Sequence, residues 1–122
     1  MFRIYTGYYG KRLEYNAIKV AVSRTLPIGW MNLVYQSLSP SNKLLNQYRE
    51  NLINRDEFKE LYLKEINRLD KKEVYEYFNE LLKYDNVVLL CYEKPYQFCH
   101  RHILAEWLKE QFNWDVQEMY VK

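Results

Sequence analysis

The chain has 122 residues, 48% of them hydrophobic and 28% charged, values that fit one domain, residues 1–122, able to bury a core without staples. Lysine and arginine total 18 against 16 aspartate and glutamate, a formal charge of +2, so no strong field for nucleic acid or an anionic membrane surface is implied. The opening MFRIYTGYYG lacks the apolar stretch and small-residue cleavage site of a secretory leader, and no apolar run approaches the roughly 20 residues that span a bilayer.

In chain order, residues 2–6 (FRIYT) are short, apolar and β-rich, and Gly7 ends them, which predicts a first strand. Residues 17–23 (AIKVAVS) predict a second, buried on both faces. Pro27 and Gly29 then break the chain. The middle is helical. Ser39 or Ser41 caps a stripe of Leu44, Leu45, Tyr48, Leu52 and Ile53, and Asp56 caps a second stripe of Phe58, Leu61, Tyr62, Ile66 and Leu69. Asp70 with Glu73 has capping-box spacing ahead of Val74, Phe78, Leu81 and Leu82. Residues 87–92 (VVLLCY) give the clearest strand, residues 99–112 an amphipathic helix, and residues 114–121 a last strand by alternation. Helices between apolar strands predict a small three-layer, Rossmann-like α/β domain. Its sheet would be mostly parallel, of about four strands, with helices on both faces.

Such a sheet binds ligands beyond the carboxyl ends of its strands, at a switch in strand order. Three strand ends qualify: Thr6, Gly7 and Tyr8; Ser23, Arg24 and Thr25, with Trp30 further on; and Cys91, Tyr92 and Glu93, followed by Cys99, His100 and Arg101. The segment CYEKPYQFCHRH (91–102) concentrates the chemistry. A helix starting near Cys99 presents free N–H groups and a positive dipole end. Arg101 adds a cation suited to phosphate or carboxylate. A thiol in that setting gains thiolate character, so Cys99 is either a nucleophile or a small buried hydrophobe, and the second reading is stronger for Cys91, inside a strand. A zinc reading needs Cys91, Cys99, His100 and one of Glu93 or His102. Its C-x7-C-H spacing lacks the two close pairs of structural zinc sites. No metal or cofactor is expected, and the fold is expected to stand without one. A reducing cytoplasm, with free or liganded thiols, is the default for both cysteines. The arginine spacing excludes a tyrosine-phosphatase loop, and no Gly-rich phosphate loop or serine-hydrolase elbow is present.

At LLCYEKPYQFCHRHILAEWL the chain resembles a bacterial and phage family, domain of unknown function 488 (DUF488). That family's hallmark is an apolar strand ending in Cys-x-Glu, a short loop, and Cys-His-Arg opening a helix; Cys91, Glu93, Cys99, His100 and Arg101 match it. IYTGYYG is similar to the family's first strand and its Thr/Ser-Gly turn, and WMNLVYQSLSP to a Trp, Tyr and Leu-x-Pro pattern of short members. VSRTLP is similar to a segment where longer members carry Asp-Val-Arg; Ser23-Arg24 stands here without the aspartate. The resemblance implies an α/β domain with a polar crevice at the Cys-His-Arg helix start. It supplies no reaction.

Three functions follow as expectations. The first is a crevice that binds, and in one version processes, a small anionic or nucleotide-like ligand. Thr6, Gly7, Tyr8, Arg24, Trp30, Cys91, Tyr92, His100 and Arg101 would line it, and Cys99 or Glu93 would act as nucleophile or general base. The second is a non-enzymatic protein that binds a partner protein or sequesters a nucleotide signal. The third, nucleic-acid binding, rests on a local YYGKR patch against a near-neutral total charge.

Overall fold

The computed structural model of the chain describes residues 1–119. Five strands form one fully parallel sheet: β1 (Ile4–Tyr8), β2 (Ile18–Ala21), β3 (Leu33–Val34), β4 (Val87–Cys91) and β5 (Val116–Glu118), in the spatial order β3-β2-β4-β1-β5. Four α-helices accompany them: α1 (Asn42–Arg49), α2 (Arg55–Ile66), α3 (Lys71–Leu81) and α4 (His100–Phe112). This is the small Rossmann-like α/β domain that the sequence predicts, with β3 added. The predicted last strand ran to residue 121, and its final two residues lie outside the described ones.

Three of the four α-helices start where a side-chain cap satisfies free amides. Ser41 caps α1 and Asp70 caps α3, accepting from Lys72 and Glu73 amides. The cap of α2 is Asn54, not Asp56. Its side chain takes the Glu57 amide while the Glu57 carboxylate takes the Asn54 amide, a reciprocal box that satisfies two donors at once.

The sheet is buried on both faces, but the two covers differ. Ile4, Val20, Val87, Leu89 and Val116 face one way and pack with all four α-helices, through Leu44, Tyr62, Phe78, Leu104 and Trp107 among others. Ala21, Val88 and Leu90 face the other way, under Tyr9, Tyr15 and Trp30. Right-handed crossovers explain the split. Connections from β1 to β2 and from β2 to β3 run toward one edge and lie on one face; those from β3 to β4 and from β4 to β5 run back and lie on the other. The first two connections are short, so that face carries a 3-10 turn (Tyr9–Glu14) and a loop in place of the α-helices that the sequence predicts on both faces.

Two buried phenols tie this core to a pH expectation. The Tyr62 hydroxyl donates to the Leu38 carbonyl at 2.5 Å, and burial pushes its pKa well up. Tyr9 is pushed up to about 12 by burial, partly offset by its bond to Ser23. Folded chains therefore hold these protons above pH ~10, where unfolded phenols release them. The contribution of these phenols to stability should be constant below about pH 10 and fall as pH rises toward about 12, by about 1.4 kcal/mol per pH unit for each phenol. Urea midpoints measured across that range should decline, and less steeply in Tyr9→Phe; equal slopes for the two proteins would refute the assignment to Tyr9.

Candidate functional site

Loops leaving the carboxyl ends of β2 and β4 run in opposite directions, β2 toward β3 and β4 toward β5. Their carboxyl ends are therefore the topological switch point, where open parallel sheets leave a crevice. A cavity of about 60 Å³ sits there. Ser23, Arg24 and Thr25 line it from β2, Cys91, Tyr92 and Glu93 from β4, His100 from α4, and Arg49 from the end of α1. A larger cavity, about 570 Å³, lies at the opposite, amino ends of the strands between Phe2, Leu82 and Trp114. Its charged groups are surface side chains such as the exposed Arg3–Asp115 pair, so it offers volume without convergent chemistry.

The β2 side of the crevice is fixed by hydrogen bonds. Tyr9 donates to the Ser23 hydroxyl at 2.6 Å, and Ser23 donates to the Thr25 carbonyl at 2.6 Å. Arg24 Nε donates to the Pro40 carbonyl at 3.1 Å, and Gln36 donates to the Arg24 carbonyl at 2.9 Å. These bonds use one of the five Arg24 donors. Among the described residues, neither Arg24 nor Arg49 forms a salt bridge. The Tyr92 ring is 47% exposed and meets Tyr9 edge-on, with centroids 4.7 Å apart.

The start of α4 is bound to the sheet. Cys99 is the N-cap residue, in extended backbone and without a side-chain cap bond. His100 is buried, and its Nε2–H donates to the Val22 carbonyl at 2.6 Å. Burial lowers its pKa to about 4, so the ring is neutral and its Nδ1 keeps a lone pair. That Nδ1 is 3.8 Å from Cys99 Sγ. The sulfurs of Cys99 and Cys91 are in direct contact.

Arg101 is fully buried and has a structural partner. Its Nε and Nη2 bind Glu118 bidentately at 3.1 and 2.9 Å, and Nη1 donates to Cys91 Sγ at 3.2 Å and to the Glu93 carbonyl at 2.6 Å. Glu118 also accepts from the Thr6 hydroxyl at 2.5 Å. Thr6, Cys91, Glu93 and Arg101 thus share one hydrogen-bonded network rather than one open pocket.

A profile for DUF488-N3a, described as the active DUF488-N3 subclade, matches residues 8–112. The chain belongs to the DUF488 family. Neither a curated protein nor a solved structure matches the DUF488 chain significantly.

Several residues nominated from the DUF488 sequence stand elsewhere than expected. Arg24, Cys91, Tyr92, Glu93 and His100 do line the switch-point cavity. Thr6 and Arg101 do not; both are spent on Glu118, and Arg101 has no solvent exposure with which to meet a ligand directly. Gly7 is needed for packing: a Cβ there would lie 2.8 Å from the Tyr15 hydroxyl. Tyr8 is half-buried, and its amide donates to that same hydroxyl at 3.3 Å. Trp30 packs edge-on against Tyr9 and donates to the Leu33 carbonyl. Cys99 is buried against Cys91, below the cavity wall that Cys91 helps to form. His102 turns to a separate groove beside Glu106, Lys109 and Glu118. Sequence reasoning missed Arg49 and Glu118 altogether. Neither carries a local signal, since each is brought in by tertiary packing of α1 and β5.

Proposed function

We propose that the β2–β4 crevice of this DUF488 protein binds a small anionic or nucleotide-like ligand. The observation that carries this reading is the convergence of Arg24 and Arg49, both without a salt bridge among the described residues, on a cavity at the switch point. An arginine binds phosphate or carboxylate through a planar fork of donors, and switch-point crevices suit such groups. The volume admits the anionic head, and the remainder would lie over the exposed Tyr92 ring. If the ligand is processed, the Glu93 carboxylate is the accessible base, because Cys99 is covered.

Calorimetric titration with pyrophosphate, AMP and ADP tests the reading. Binding of at least one of them is expected. Arg24→Ala and Arg49→Ala should each weaken it at least tenfold, since losing a charged partner of a bound group costs about 2–5 kcal/mol. Arg68→Ala, on an exposed surface elsewhere, should leave it unchanged. Equal affinity in all four proteins, or no binding of any anion, would remove the crevice from consideration.

A second reading has its own observation. Leu26, Ile28, Met31, Leu33 and Val34 are exposed together in one loop and edge strand, with Ile28 and Met31 nearly fully so. Grouped exposed apolar side chains suit a protein partner, and failure of the anion titrations would favour this surface.

A further inference from the structure

The same end of the sheet holds a cluster of donor atoms that the anion reading does not use. Cys91 Sγ, Cys99 Sγ and a ring nitrogen of His100, all in buried residues, lie within 4.8 Å of one another, and Nδ1 is the ring nitrogen beside Cys99 Sγ. We infer that these three residues form a mononuclear zinc-class site whose fourth position opens on the β2–β4 crevice.

The donor set is the first argument. Two thiolates and a neutral imidazole are soft-to-borderline ligands that suit Zn²⁺, and three protein ligands with one open position mark a reactive rather than a structural ion. Geometry is the second. Tetrahedral bonds of about 2.3 Å to sulfur and about 2.0–2.1 Å to nitrogen set S···N at about 3.6 Å. The Cys99 Sγ to His100 Nδ1 distance is 3.8 Å. The sulfurs now touch and would part to about 3.8 Å on either side of the ion. A disulfide is the competing arrangement for touching sulfurs. It spans Cα atoms roughly 4.4–6.8 Å apart, and pairs beyond about 7 Å need backbone movement. Here the Cα separation is 7.8 Å, so the backbone is set wider than a disulfide requires and leaves room for a bridging atom.

Surrounding bonds are the third argument. A metal-binding histidine usually donates its other ring N–H to a carbonyl or carboxylate, which fixes the tautomer; His100 Nε2–H does this to Val22. Arg101 Nη1 donates to Cys91 Sγ, a bond that favours the thiolate. Charges also close: Zn²⁺ balances two thiolates, and Arg101 balances Glu118. Binding would release the two thiol protons. Cys91 and His100 both line the crevice, which places the open position toward Glu93 and the two arginines. The C-x7-C-H spacing argued against zinc because it lacks paired ligands; α4 supplies what the spacing hides by turning Cys99 and His100, neighbours in sequence, toward one point.

The test uses the whole chain, reduced under nitrogen and titrated with Co²⁺. One equivalent should bind, giving sulfur-to-cobalt charge-transfer absorption and the visible bands of tetrahedral Co²⁺, and Zn²⁺ should displace it. Cys99→Ser should weaken Co²⁺ binding at least tenfold. Protein isolated without chelator should carry zinc at one ion per chain, and its two thiols should become reactive as the zinc is released. The absence of a cobalt band in the reduced wild-type chain overturns the site, and that result needs no variant to fold. Protein that shows no reactive thiol when denatured without reductant overturns it also, since the pair is then a disulfide. No anion enters these measurements, so the fate of the anion reading does not decide them.

Discussion

Arg101→Ala should cost about 3–5 kcal/mol of folding stability, the range for breaking a buried ion pair from one side. The guanidinium has no exposure, and its Glu118 partner is only 10% exposed at the side chain. Removing Arg101 leaves the Glu118 carboxylate desolvated, with the Thr6 hydroxyl as its one remaining side-chain donor among the described residues. It also strips a donor from Cys91 Sγ and from the Glu93 carbonyl. The unpaired carboxylate is the larger loss, so Arg101→Ala combined with Glu118→Gln should recover a substantial part of it. Equilibrium unfolding in urea measures both. A domain with total stability of about 5–15 kcal/mol would survive the single substitution only in weakened form. A loss under about 1 kcal/mol, or no recovery in the double variant, would mean that the ion pair does not organise this end of the sheet.

That expectation reverses the one invited by the sequence, where Arg101 stands in the first turn of a helix and looks available to an anion. Its true partner lies in β5, and Glu118 reaches it only because β5 pairs with β1. Pairings between distant strands leave no trace in local spacing. By contrast, VVLLC is apolar throughout because β4 is flanked on both sides and covered on both faces, and it was legible for that reason. Ser41 and Asp70 were legible as caps because capping is a contact within four residues. Asp56 is the wrong cap because the Asn54–Glu57 spacing carries the capping-box signal two residues earlier. The two-residue β3 escaped notice because its Leu33 and Val34 side chains are exposed at an edge and show no alternation.

The site divides along the same line. Strand ends are readable in the sequence, which groups Arg24, Cys91, Tyr92 and Glu93, and His100 follows from the start of α4. Arg49 was not readable, since it arrives from the last turn of α1 across the mouth of the crevice. The proposed anion site needs both kinds of residue. The strand ends would form its floor, and α1 would add a cation that only the assembled fold can bring.

Trp107→Ala should be the other severe substitution, again at about 3–5 kcal/mol, the range for truncating a buried aromatic ring. Trp107 is 2% exposed and packs in the main core beside Ile103, Leu104 and Leu108. Phe112 meets its ring edge-on with centroids 5.8 Å apart, and its Nε1 donates to the Asn67 side chain at 2.8 Å. Asn67 follows α2, so one indole joins two helices. Trp107→Phe keeps most of the ring volume and loses the hydrogen bond; because Asn67 is exposed and can bind water, that change should cost only about 1–2 kcal/mol. The consequence for function follows from the geometry of α4. The helix carries Trp107 in its middle and His100 and Arg101 at its amino end, and it packs on β1 and β4. A cavity under its centre should loosen that amino end relative to the crevice. Amide hydrogen exchange should therefore speed up at residues 100–104 in Trp107→Ala, beyond what the lower global stability alone produces, while the Trp107→Phe protein stays near wild type. Exchange that accelerates uniformly across all four helices would show that the ring stabilises the domain as a whole and does not position the site.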